Sequence, residues 1–152
     1  MAKSAVAQYD TLDVSSLLEH SSDEVVTHSH VRKISLPNSD APLALITLDN
    51  GKDHTRPNTL GPHSLVELRS VLWNLQKEAQ AGEISAVAIT GNPFILAAGA
   101  DLSKVGDIPD VDTGLTMVQL GHQTLGLLGE LGVPSFCFIN GLALGGGLEI
   151  AL

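Results

Sequence analysis

The chain has 152 residues, 43% of them hydrophobic, a length and composition suited to one domain with a core and opposed to long disorder. Seventeen acidic against eight basic residues leave a net charge of −9, which argues against phosphate-backbone binding, and hence nucleic acid, as the main activity. No apolar run reaches membrane-spanning length and no apolar stretch follows Lys3 as in a secretory signal. With Cys137 the single cysteine, no intrachain disulfide forms, and the expected location is cytoplasmic.

Residues 1–24 read as an acidic N-terminal extension, solvated except for one docked turn around Leu12, Val14, Leu17 and Leu18. From Val25 the pattern changes. Residues 25–31 are rich in β-branched residues and are followed by Lys33-Ile34-Ser35-Leu36, a Pro/Asn/Ser/Asp turn comes at 37–42, and 43–48 form a second strand, which together predict a hairpin. A polar loop spans 49–61. Pro62 suits a first helical turn, and Leu65, Leu68, Val71, Leu72, Leu75 and Ala79 follow at helical spacing until Gly82. Trp73 reads as core or interface.

Residues 84–90 form the next strand, followed by a loop from Gly91 to Asp110. Asp112 or Thr113 is expected to cap a helix reaching about Glu130, with Leu115, Val118, Leu125 and Leu128 as its apolar side. Residues 134–140 are strand-like and place Cys137 as a small core residue.

The chemistry concentrates in two stretches. One is Ala97-Ala98-Gly99-Ala100-Asp101-Leu102. The other is Asn140-Gly141-Leu142-Ala143-Leu144-Gly145-Gly146-Gly147-Leu148-Glu149, where three glycines follow a strand-like run and open a helix-like one. Glycines let a ligand approach the backbone, and the first N–H groups of a helix have no intrahelical partner, so such a place favours an oxygen that gains negative charge. Glu149 is a carboxylate one turn further on. Taken singly, Asp101 reads as a loop cap and Glu149 as a carboxylate favoured by a helix N-terminus. A P-loop is absent because no lysine follows Gly146 or Gly147, and the Rossmann glycine place is taken by Ile150. His28 and His30 share a strand face without a further ligand at matching spacing, and His54 reads as a surface histidine.

These two stretches, about forty-six residues apart from Ala100 to Gly146, resemble the crotonase (enoyl-CoA hydratase/isomerase) family over roughly residues 25–152. The resemblance implies an α/β fold, a crotonase-like spiral of ββα units truncated at the C-terminus, so that 25–152 is the N-terminal part of the domain. It implies that the amides of Ala100 and Gly146 form an oxyanion hole for an acyl-CoA thioester and that Glu149 is the first of two glutamates that handle a water. Ala98, Gly99, Asp101, Leu102 and Gly145 are then substrate-binding neighbours, with Lys52 and Arg56 as candidates for the phosphates of coenzyme A. The expected activity is hydration of a 2-enoyl-CoA, within a multifunctional fatty-acid oxidation protein. The alternatives are isomerase or hydrolase chemistry at the same hole, or a non-catalytic acyl-CoA-binding subunit. Coenzyme A enters as part of the substrate, no cofactor or metal is held permanently, and the complete domain is expected to form a homotrimer or larger oligomer. A second glutamate matching the family's is expected some twenty residues beyond Glu149.

Overall fold

A computed structural model describes residues 12–52 and 55–152. The first eleven residues of the extension, and His54, lie outside the described residues. Three successive strand–strand–helix units follow the segment 12–27, giving the ββα spiral expected from the sequence.

The segment begins with a short helix, α1 (Ser15–Glu19), whose Leu17 is buried in the main core. β1 (His28–Ile34) and β2 (Leu43–Asp49) pair antiparallel from His28↔Asp49 to Ile34↔Leu43, as the hairpin pattern predicts. β1 starts later than the sequence suggests. Thr27 is buried and bound elsewhere: its N–H donates to Ser64 Oγ and its hydroxyl to the Thr59 carbonyl.

α2 (Pro62–Gln80) has Pro62 in its first turn and buries Leu65, Leu68, Leu72 and Leu75. Its N-terminal amides are capped from a distance in sequence: the Glu24 carboxylate accepts from His63 N at 2.7 Å and Ser64 N at 3.0 Å. β3 (Ala86–Gly91) then pairs parallel with β2, and β5 (Ser135–Phe138) parallel with β3, giving the sheet order β1-β2-β3-β5. Two further strands, β4 (Phe94–Ala97) and β6 (Gly141–Ala143), form a separate parallel pair. Neither was expected from the sequence, which reads the first as loop.

α3 (Val111–Gly126) continues as a 3-10 turn, Leu127–Glu130. Two expectations about it need correcting. The cap is Asp110, whose carboxylate accepts from Thr113 N at 2.7 Å, not Asp112 or Thr113. The buried stripe is Thr113, Leu120, Thr124 and Leu127, whereas Leu115 and Val118 are 55% and 54% exposed. Apolar residues surround this helix, so spacing alone does not select a face, and two threonines on the inner stripe disguise it. Leu125 and Leu128 pack at the margin of the core.

One face of the sheet carries Ala44, Ile46, Leu48, Val87 and Ile89 into the core shared with α2 and α3. The opposite face holds a small cluster of Leu43, Ala86 and Ala88. On that face Phe136 stands beside Ala88 and Phe138 beside Thr90, both more than half exposed at the sheet edge. Cys137 points the other way, half-buried against the core, where loss of hydration raises its thiol pKa. Trp73 is partly buried against the same core, with the Arg69 guanidinium 5.2 Å from its ring centre. Among the described residues no helix is long and apolar enough to cross a membrane.

Candidate active site

The two motif stretches are joined by the β4–β6 pair. Phe94 is in register with Gly141, Ile95 with Leu142 and Ala97 with Ala143, and Leu144 N donates to the Ala97 carbonyl at 3.0 Å. The pairing carries the backbone straight into the two glycine loops. Gly99, at φ +76°, faces Gly146 so closely that a Cβ there would lie 2.6 Å from Gly146 N. A Cβ on Gly147 would overlap the Ala97 carbonyl. Glycine is required at both places by contact, not by loop flexibility.

The direction of one candidate donor follows from its peptide. The Gly99 carbonyl accepts from Leu60 N at 2.8 Å. No described peptide is cis, so the Ala100 N–H on the same peptide points away from Leu60. Gly146 supplies the first amide of a four-residue turn, α4 (Gly146–Glu149), preceded by Gly145 at φ +49°. The next three amides are satisfied, Gly147 N by the Leu144 carbonyl and Leu148 N and Glu149 N by that of Gly145. Among the described residues no acceptor engages the amides of Ala100 or Gly146. Two unpaired amides on touching loops have the chemistry that holds a carbonyl oxygen as it gains charge.

Side-chain amides brace this junction. Asn58 is fully buried; its Nδ2 donates to the carbonyls of Leu48 (2.9 Å) and Leu96 (3.0 Å), and its Oδ1 accepts from Asn50 N (3.0 Å). Its own carbonyl accepts from Ala98 N at 2.8 Å, which fixes the exit of β4. Asn140 Nδ2 donates to the carbonyls of Gly91 (3.1 Å) and Asn92 (2.8 Å), tying the corner between β5 and β6 to the end of β3. Sequence reasoning missed these residues as site supports. For Asn140 the available signal was position, two residues past the end of β5 and directly before Gly141.

The other candidates fall in different places. Asp101 is half-buried and caps the 3-10 helix Leu102–Asp107, accepting from Ser103 N (3.0 Å) and Ser103 Oγ (2.7 Å). Leu102 is 81% exposed. Ala100 and Asp101 line a cleft of about 160 Å³, with Thr59, Gly61 and Pro62 nearby on its wall. Lys52 and Arg56 are exposed and are not part of that wall. Their backbones are anchored to Asn50, Lys52 N on its Oδ1 and the Arg56 carbonyl by its Nδ2. Glu149 is exposed on α4 and lines a second cleft with Ile89, Leu125 and Cys137. The structure thus brings Ala100 and Gly146 onto touching loops and leaves Glu149 outside the Ala100 cleft. His28 Nδ1 donates to the Glu67 carboxylate at 2.9 Å, and among the described residues no group of three or more metal-ligating side chains is assembled.

No family model matches the chain. Solved structures do. The chain is similar to DspI of Pseudomonas aeruginosa, with 30% identity and a TM-score of 0.63 over 80% of this chain and 45% of that one. It is also similar to an enoyl-CoA hydratase of Bacillus anthracis, with 27% identity and a TM-score of 0.65 over 81% of this chain and 43% of that one. A curated relative, the fatty acid oxidation complex subunit alpha of Shewanella loihica, is 31% identical over 121 residues, which are 80% of this chain and 17% of the relative. Sheet order, ββα units and glycine junction therefore define a crotonase fold. The chain belongs to the crotonase (enoyl-CoA hydratase/isomerase) superfamily, whose fold covers about 80% of it. It spans less than half the length of the solved chains above and about a sixth of the curated relative.

Proposed function

We propose that this chain provides the oxyanion hole of an acyl-CoA enzyme that adds water to a 2-enoyl-CoA. The observation that carries the reading is the pair of unpaired amides, Ala100 and Gly146, on loops in contact. In this mechanism both donate to the thioester oxygen. Water adds at the β-carbon, electron density moves onto that oxygen, and the α-carbon then takes a proton to give the 3-hydroxyacyl thioester. The Glu149 carboxylate positions the water or removes its proton. Coenzyme A arrives with the substrate, with Lys52 and Arg56 as its phosphate contacts, and no cofactor is held between turnovers. Residues 25–152 act as the N-terminal part of the domain, 1–24 as its extension, and a trimer or larger oligomer as the working assembly. Similarity to a fatty acid oxidation complex subunit supports a place in a multifunctional oxidation protein.

A second reading has its own observation. Because Glu149 lines a different cleft from Ala100, the chain also fits an acyl-CoA-binding subunit without turnover. The test is hydration of 2-hexenoyl-CoA by the full-length protein and its Glu149→Gln variant. The enzyme reading expects a loss of about 10²–10⁴-fold with acyl-CoA affinity retained. Turnover unaffected by the substitution overturns the role of Glu149, and binding without turnover in the parent protein selects the second reading.

A further inference from the structure

The cleft beside Ala100 has a wall that the glycine motifs do not supply. Leu17 and Val25, from the segment before β1, line it together with Ile108, Met117, Pro62 and Ala100. The segment is fixed on its helix side: Leu17 is buried, Glu24 holds the first amides of α2, and Leu18 O meets His63 Nε2 at 3.2 Å. On its other side one ion pair closes the gap. Lys104, on the 3-10 helix Leu102–Asp107, donates to the Asp23 carboxylate and lies 3.7 Å from Asp107. That 3-10 helix contributes no buried side chain, so apolar packing holds it weakly and the pair to Asp23 is its tie to the segment.

Resting on the acyl-CoA reading above, we propose that residues 17–25, latched by Asp23–Lys104, form the end wall that sets the length of the apolar acyl group. A 150 Å³ apolar cavity accommodates one benzene ring, so a cleft of this size takes on the order of six carbons. In this proposal a longer group is accommodated when the 3-10 helix moves away from Asp23.

Calorimetric titration of the full-length protein with coenzyme A and with butanoyl-, hexanoyl- and dodecanoyl-CoA tests this. The parent protein is expected to bind hexanoyl-CoA several-fold more tightly than butanoyl-CoA, with no further gain for dodecanoyl-CoA. Asp23→Ala and Lys104→Ala each tighten dodecanoyl-CoA at least threefold, the double variant no more than either, and coenzyme A itself is unaffected. Met117→Trp, which fills the cleft, weakens hexanoyl-CoA at least tenfold while butanoyl-CoA binding persists. Folding of each variant is checked by circular dichroism, and the charge exchange Asp23→Lys with Lys104→Asp restores the parental profile. An unchanged chain-length profile in all variants overturns the wall while leaving acyl-CoA binding standing. No acyl-CoA binding by the parent overturns the reading on which the wall rests.

Discussion

The Leu60 amide donates to the Gly99 carbonyl across 2.8 Å, and this bond turns the Ala100 N–H, on the far side of the same peptide, away from Leu60. A core residue at the entry to α2 thereby sets the direction of a candidate catalytic donor. Leu60 itself is 4% exposed, so the alignment is anchored in the hydrophobic core and not in the loop.

Gly99→Ala tests this alignment. The new Cβ meets Gly146 N at 2.6 Å, at a backbone φ of +76° that alanine adopts poorly, so the two loops must separate. Loss of one oxyanion donor costs about 3–4 kcal/mol, a fall in kcat of two to three orders of magnitude. Steady-state hydration by the full-length protein measures it, with the melting temperature recorded in parallel. A kcat close to the parent's contradicts the arrangement.

Asn58→Ala removes a fully buried amide and leaves the Asn50 N–H without its acceptor and the Leu96 carbonyl without that donor, while the Leu48 carbonyl keeps the Asn92 N–H. Each buried polar group so stranded costs about 1–3 kcal/mol. Urea denaturation is expected to show a loss of at least about 2 kcal/mol, together with faster hydrogen exchange at Ala98, whose amide bonds the Asn58 carbonyl. A shift within measurement error removes Asn58 from the account.

The α3 cap responds to acid. Hydrogen bonding from the Thr113 backbone N–H holds the Asp110 carboxyl below the usual range. A depressed folded-state value means that the cap's stabilisation is present above the unfolded aspartate pKa, near 3.9, and is lost as pH falls through the lower folded value. The Thr113 amide resonance, followed from pH 6 down to pH 2, is expected to move with a midpoint below that of an unperturbed aspartate. Asp110→Asn keeps an acceptor and abolishes the transition. A midpoint at or above the ordinary aspartate value refutes the cap's contribution.

Phe136 and Phe138 expose 51% and 57% of their surface on one face of β5, an edge strand, and Ile139 adds 52%. Exposed aromatic side chains at an open sheet edge favour association. Sedimentation of the 152-residue chain is expected to show concentration-dependent oligomers, reduced by Phe136→Lys combined with Phe138→Glu. A single monomeric species at all concentrations contradicts this.

Much of the fold was legible because its signals are local. The hairpin shows in β-branched runs around a Pro/Asn turn, α2 in its leucine spacing, and the junction in two glycine-bearing stretches. β4 and β6 were not, because four- and three-residue strands are too short to show a period, and their pairing joins positions far apart in sequence. The buried face of α3 was hidden by Thr113 and Thr124 on the inner stripe. Asn58 sits in a Pro-Asn-Thr sequence that reads as a turn, and only the convergence of β2 and β4 on it shows that its side chain is a core element. The candidate donors on the backbone were therefore easier to point to in the sequence than the side chains that hold their loops.

The central claim is that the Ala100 and Gly146 amides together receive a thioester oxygen. Alanine- and glycine-labelled full-length protein titrated with hexanoyl-CoA, with the two amide resonances followed by NMR, tests it most directly. The account predicts that both move downfield along one saturation curve, matching the calorimetric Kd, while the Gly147 amide, already bonded to Leu144, moves far less. Saturable acyl-CoA binding with the Ala100 and Gly146 amides unmoved would contradict it.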